Sequence, residues 1–148
     1  MSARTAPRTG AIEVRDSEDA DLPAITAIYA DAVLTGTATF EIEPPSEADM
    51  TQRLLTEARV EAKRSLLALD SALAKDGALL NAEERAAIDA GRNRLEGAMA
   101  GESRDEINAA AEELETLSKP FAERRMDRGI REALSGLSVK ELETRVGE

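Results

Sequence analysis

From Leu55 the apolar residues Leu55, Ala58, Ala62, Leu66, Leu69 and Leu73 recur at steps of three and four. That spacing lays them along one face of a helix and leaves charged residues on the other. The stripe predicts a long amphipathic helix over 47–75, opened by Ser46 with Asp49 as a capping box and stopped at Asp76-Gly77. Asn81 with Glu84 opens a second helix, whose stripe is Ile88, Leu95 and Met99 and which Gly101 closes. Gly91 and Gly97 lie inside it, each expected to weaken it by about 1 kcal/mol. Ser103 with Glu106 opens a third, with Ile107, Ala110, Leu114, Leu117 and Phe121 stepping by three, four, three and four. Pro120 interrupts that run, so a kink or break is expected there. Met126, Ile130 and Leu134 carry the pattern to Gly136, and Ser138 with Glu141 starts a last short helix. Short connections make successive helices antiparallel neighbours.

Before Pro44-Pro45 the chain has a different character. Residues 11–15 alternate like a short strand, with Ile12 and Val14 on one face. The acidic run from Asp16 to Asp19 reads as a turn and helix start, and Pro23 suits a helix's first turn, where its missing N–H costs nothing. Leu22, Ile25, Ile28, Tyr29 and Val33 follow at helical spacing until Gly36, and residues 37–42 read as a second short strand. The expected fold class is therefore all-α: a long amphipathic helix followed by a small antiparallel bundle, preceded by a short β-α fragment. The expected divisions are a disordered tail over 1–10, the β-α segment over 11–46, the helical domain over 47–136, and a short helix or disordered tail over 137–148.

Composition narrows the function more than it defines it. Aromatic residues are 2% of the 148, namely Tyr29, Phe40 and Phe121, a poverty that suits helices better than strands. The formal net charge of -11 repels phosphate backbones and anionic lipid, so neither nucleic-acid binding nor membrane binding is expected. There is no cysteine and no histidine. Disulfides, thiolate nucleophiles, iron–sulfur ligation by this chain, the usual zinc sites, the Ser-His-Asp triad and a histidine general base are thereby excluded. Lack of cysteine agrees with a reducing cytosol, and a cytoplasmic location is expected. No apolar run approaches the roughly 20 residues that span a bilayer, and no apolar stretch follows the arginines of residues 1–10, so no signal peptide is read.

Pairs such as Glu83-Glu84 and Glu112-Glu113 lack the spacing of a calcium loop and read as solvated helix faces or caps. Arg124, Arg125, Arg128 and Arg131 read as a helix surface paired with nearby acids rather than an anion site. Phe121 and Met126 read as core.

Two family resemblances follow from particular residues. The segments Glu57-Ala-Arg-Val-Glu-Ala62, Leu66-Leu-Ala-Leu-Asp-Ser-Ala-Leu73, Ala82-Glu-Glu-Arg-Ala-Ala-Ile-Asp89, Phe121-Ala-Glu-Arg-Arg-Met-Asp127 and Ile130-Arg-Glu-Ala-Leu134 resemble the C-terminal helical lid of DnaK-type heat-shock chaperones. The likeness is greatest to the HscA branch, which serves iron–sulfur cluster assembly, and covers about 47–139. It implies a long helix lying over a peptide-binding sandwich, followed by a small helical bundle. The roughly 46 residues before it cannot hold an ATPase domain and a sandwich, so neither ATP binding nor cleft-based peptide binding is carried over.

Residues 12–46, through Asp21-Leu-Pro-Ala-Ile25, Ile28-Tyr-Ala-Asp-Ala-Val33, Gly36-Thr-Ala-Thr-Phe-Glu41 and Pro44-Pro-Ser46, resemble the start of GNAT acetyltransferases of the phosphinothricin type. That family holds the acetyl-CoA pyrophosphate on a Gln/Arg-x-x-Gly-x-Gly/Ala loop. The nearest match, Arg94-Leu-Glu-Gly97-Ala-Met99, fails at its last position and falls within a predicted helix. Acetyl-CoA binding is not expected, nor any other cofactor, metal or catalytic residue.

The joint reading is a fusion of two truncated genes, with a non-catalytic helical module as the expected function and a remnant acetyltransferase or a non-functional fusion as the alternatives. With no sandwich to cover the long helix, an apolar strip including Leu54, Leu55, Leu66, Leu67, Leu69 and Leu73 is expected to stand partly open. Leu55, Leu66, Leu69 and Leu73 form the candidate surface for a protein partner or an antiparallel homodimer.

Overall fold

The computed structural model describes Ile12, residues 14–36 and residues 41–136. Four α-helices follow one another: α1 Leu22–Thr35, α2 Glu47–Asp76, α3 Ala82–Ala100 and α4 Arg104–Ser135, with short 3-10 turns at Asp19–Asp21 and Gly77–Leu79. There is no strand among the described residues. Ile12 and Val14 lie in exposed coil, as does Ile42. The rest of the two expected strands, Ala11, Glu13 and residues 37–40, lies outside the described residues. Among its described residues the N-terminal fragment contributes its helix.

The helix ends are set by the signals in the sequence. Ser46 accepts the Asp49 N–H while the Asp49 carboxylate accepts the Ser46 N–H, and Asn81 and Glu84 repeat the exchange at the start of α3. Each reciprocal pair satisfies two of the N–H groups that a helix start leaves free. Ser103 caps α4 through the Glu106 N–H, without the return bond that would complete a box. Pro23 sits in the first turn of α1, and Gly36, Gly77 and Gly101 follow the last residues of α1, α2 and α3.

Pro120 does not break α4, which runs unbroken for 32 residues. Proline removes the bond to the carbonyl four residues back, here Thr116. Both Pro120 and Thr116 face solvent, so that carbonyl is open to water rather than stranded in the core. Phe121, the next residue, is fully buried and fixes the helix across this point.

The core is the seam where α2, α3 and α4 meet. Leu55, Ala62, Leu66, Ala72 and Leu73 of α2 join Ile88 and Leu95 of α3 and Ile107, Leu114 and Phe121 of α4 in one buried cluster. Every stripe residue from Leu55 to Leu73 named above belongs to it or packs on it. Of the strip expected to stand partly open, Leu55, Leu66, Leu69 and Leu73 lie in or against the core shared with α3 and α4, while Leu67 is exposed. α1 packs separately, against α2. Leu22 and Val33 of α1 and Met50 of α2 are buried but lie outside the main cluster.

Candidate interaction surfaces

The four leucines read from the sequence as a partner surface are placed in or against the core. Leu55, Leu66 and Leu73 are buried, and Leu69 is partly buried against them. Contact through these positions would first require opening the bundle. The exposed apolar residues of α2 are instead Val60 and Leu67.

Arginine side chains tie the bundle at both ends, to carboxylates at one and to backbone carbonyls at the other. Asp76, the last residue of α2, is buried and sits at the negative end of the helix dipole, an unfavourable place for a carboxylate. Two cations from α4 answer it: Arg125 Nε at 2.7 Å and Arg128 Nη1 at 2.9 Å. The Arg125 bond first, and the nearby positive charges after it, hold the Asp76 carboxyl below its ordinary range. Beside Arg125 in sequence, Arg124 bonds the Glu84 carboxylate and donates to the Leu79 carbonyl at 2.9 Å. The Arg124 guanidinium, assisted by the Asn81 N–H, lowers the Glu84 carboxyl from 4.5 to about 2. Glu84 therefore caps α3 and ties α3 to α4 with the same group. Arg125 also rests over the Phe121 ring, its guanidinium carbon 5.8 Å from the centroid.

The Phe121–Asp127 stretch divides by role. Phe121 fills the core, Arg124 and Arg125 clamp the α2–α3 junction, and Met126 points to solvent. The reading of Met126 as core is thus corrected: past Phe121, α4 has outrun the helices it packs on. The reading of Arg124, Arg125 and Arg128 as surface paired with acids holds. Arg131 has no ion pair among the described residues.

At the opposite end Arg59 of α2 reaches the α3–α4 turn, donating to the Met99 carbonyl at 3.1 Å and the Gly101 carbonyl at 2.6 Å. Nearby, Arg104 is buried and fastens the N-terminal coil. It donates to the Asp19 carboxylate at 3.1 Å, the Ser17 hydroxyl at 3.0 Å and the Ser17 carbonyl at 2.9 Å. The Asp105 carboxylate accepts the Asp19 N–H at 3.0 Å. The coil from Arg15 to Glu18 lines an open groove of about 990 Å³ together with Leu69, Asn108, Glu112 and Glu115. No sequence signal announced Arg104, since a buried arginine serving a segment 85 residues away has no local pattern.

The acetyl-CoA loop candidate, Arg94 to Met99, is helical within α3, and Arg94 is occupied by Glu113 at 2.7 Å. No helix among the described residues is long and apolar enough to cross a membrane.

A long helix carrying a compact bundle, tied by arginine–carboxylate contacts, defines a lid-like helical module. Comparison with known proteins points to one group of chaperones. The chain is 47% identical over 97 residues to the chaperone protein HscA of Klebsiella pneumoniae strain 342, covering 66% of this chain and 16% of that protein. It is 50% identical over 97 residues to the HscA homologue of Ralstonia pickettii strain 12J, again 66% and 16%. It is 34% identical over 152 aligned positions to the HscA homologue of Acidithiobacillus ferrooxidans strain ATCC 53993, covering 90% of this chain and 24% of that protein. The chain thus spans between about a sixth and a quarter of the length of the relatives it matches, and the match falls on their C-terminal lid. No family model matches the chain. The alignment that covers 90% of the chain extends N-terminal of α2, and the acetyltransferase-like reading of residues 12–46 gains no support from these relatives.

Proposed function

We propose that the protein is a non-catalytic interaction module that acts on other proteins as the lid of an HscA-type chaperone does, in the cytoplasm and in the service of iron–sulfur cluster assembly. The observation that carries this reading is the 97-residue match to HscA chaperones, over 66% of this chain and 16% of the relative, alongside the long α2 and the bundle built on it. α2 is 30 residues long, about 45 Å at 1.5 Å per residue, enough to lie across a peptide-binding domain. Its face away from the bundle presents Val60 and Leu67.

The test is supply of the lid in trans. A lidless HscA-type chaperone holding a fluorescent peptide is mixed with the chain, and peptide release is followed by anisotropy. The expected result is slower release that saturates with added chain and weakens in a Val60→Ser, Leu67→Ser variant. Unchanged release at saturating chain, with no binding heat, overturns the reading. No ATP turnover and no acetyl-CoA binding are expected, and a micromolar acetyl-CoA affinity would contradict the reading of Arg94 to Met99.

A further inference from the structure

We propose that the distal end of α4 is a self-association surface that pairs antiparallel with the same segment of a second copy. Beyond Phe121, α4 turns an apolar stripe to solvent. Met126, Ile130 and Leu134 are 68%, 51% and 48% exposed, and they follow one another at steps of four. Ala122 and Ala133 lie on the same side. So does Gly129, where an added Cβ would meet nothing within 4 Å. Glycine there costs the helix about 1 kcal/mol relative to alanine, and no neighbour among the described residues requires it. Close approach of another helix gives it a use. Glu123, one heptad before Ile130, ends the stripe.

Charge identifies the occupant. The whole chain carries -11, whereas residues 122–136 hold four arginines against three acids. This is a place where two copies can meet without the repulsion the rest of the chain would impose. The stripe has two charged edges. Arg125 and Arg128 on one edge are committed to Asp76 and, for Arg128, also to Glu132. On the other edge Asp127 and Arg131 have no ion pair among the described residues. A twofold axis perpendicular to two antiparallel helices sets each edge against the same edge of the partner. Placed near Ile130, it brings Asp127 of each copy within about 3 Å, along the helix direction, of Arg131 of the other, given a rise of 1.5 Å per residue. Two reciprocal ion pairs then flank an apolar centre in which Ile130 meets itself and Met126 meets Leu134. A parallel pair would set the Asp127–Arg131 edge against arginines already in use.

Sedimentation equilibrium at rising concentration reads the association, with the apparent mass climbing from 15.9 kDa toward twice that value. Ile130→Lys places like charges at the twofold axis and is expected to raise the dissociation constant at least tenfold, with helicity and Tm unchanged at concentrations where both proteins are monomeric, because the position is exposed in the monomer. Asp127→Arg alone weakens pairing, and Asp127→Arg with Arg131→Asp restores it. The chain has no cysteine, so Ile130→Cys is expected to form a disulfide dimer on oxidation. Met126→Cys does so only when mixed with Leu134→Cys. A chain that stays at 15.9 kDa at every concentration overturns the proposal. So does a dimer indifferent to both Ile130→Lys and Asp127→Arg. Dimerisation that appears only after deletion of residues 138–148 makes that segment the occupant of the stripe and overturns it equally.

Discussion

Gly91 of α3 faces Leu117 of α4 so closely that a Cβ on the glycine would lie 3.0 Å from Leu117 Cδ1 and 3.1 Å from Leu114 Cδ1. The two glycines of α3 therefore do different things. Gly97 has open space where a Cβ would go, so Gly97→Ala should stabilise the protein by about 1 kcal/mol through helix propensity alone. At Gly91 the same gain is opposed by displacement of the buried Leu114. Gly91→Ala should lower Tm despite the better helix former, and paired thermal melts of the two variants would show opposite signs.

Phe121 and Met126 lie five residues apart on one helix, in different surroundings. Phe121→Ala empties the core and should cost about 3–5 kcal/mol. Met126→Ala removes a side chain already in water and should stay within about 0.5 kcal/mol. Urea unfolding of the two variants at concentrations where the chain is monomeric measures the contrast, and a similar loss at both would mean that Met126 is covered within the monomer.

The Glu84–Arg124 tie sets an acid limit. Because the folded carboxyl titrates near 2 instead of 4.5, its contribution is complete above the ordinary glutamate range and disappears as pH falls from about 4.5 to 2. Asp76, lowered by Arg125 and Arg128, acts in the same direction. Tm should therefore drop across this window. Glu84→Gln should be less stable at pH 7 and show a shallower fall, which a pH series of melts would detect.

Arg104 should control the N-terminal coil without controlling the bundle. Arg104→Ala frees Ser17 and the Asp19 carboxylate and leaves Asp19 held only by its N–H on Asp105, so limited proteolysis should cut near Arg15 much faster. The core cluster contains no residue of α1. Deletion of residues 1–45 should accordingly keep α2, α3 and α4 helical, as circular dichroism would show, and a collapse of that signal would mean that α1 supports the bundle.

The helices themselves were legible because their signals are local. The Ser46, Asn81 and Ser103 caps, the glycine stops and the three-and-four stripes each act within a few residues. Pro120 misled because proline's cost depends on whether the freed carbonyl finds water, which sequence does not show. The cover on the α2 strip was illegible for a related reason: a helical stripe shows which face is apolar but not what covers it. For Leu55, Leu66 and Leu73 the cover is α3 and α4, while Met126, Ile130 and Leu134 carry the same pattern past the end of the bundle. The clamps at Asp76, Arg59 and Arg104 join residues 40 to 87 positions apart and leave no trace in any window.

α3 ends at Gly101 with an extended backbone, and no residue among those described takes a left-handed conformation. The left-handed cap that often closes a helix is therefore absent: the Gly101 N–H closes on the Ala98 carbonyl, and the guanidinium of Arg59 adds, from another helix, bonds to the Met99 and Gly101 carbonyls. The hairpin of α3 and α4 is consequently closed from outside. Cut away from α2 it would lose its own hinge-point bonds as well as half its core, so the three helices should unfold as one cooperative unit, with no stage at which the hairpin survives alone.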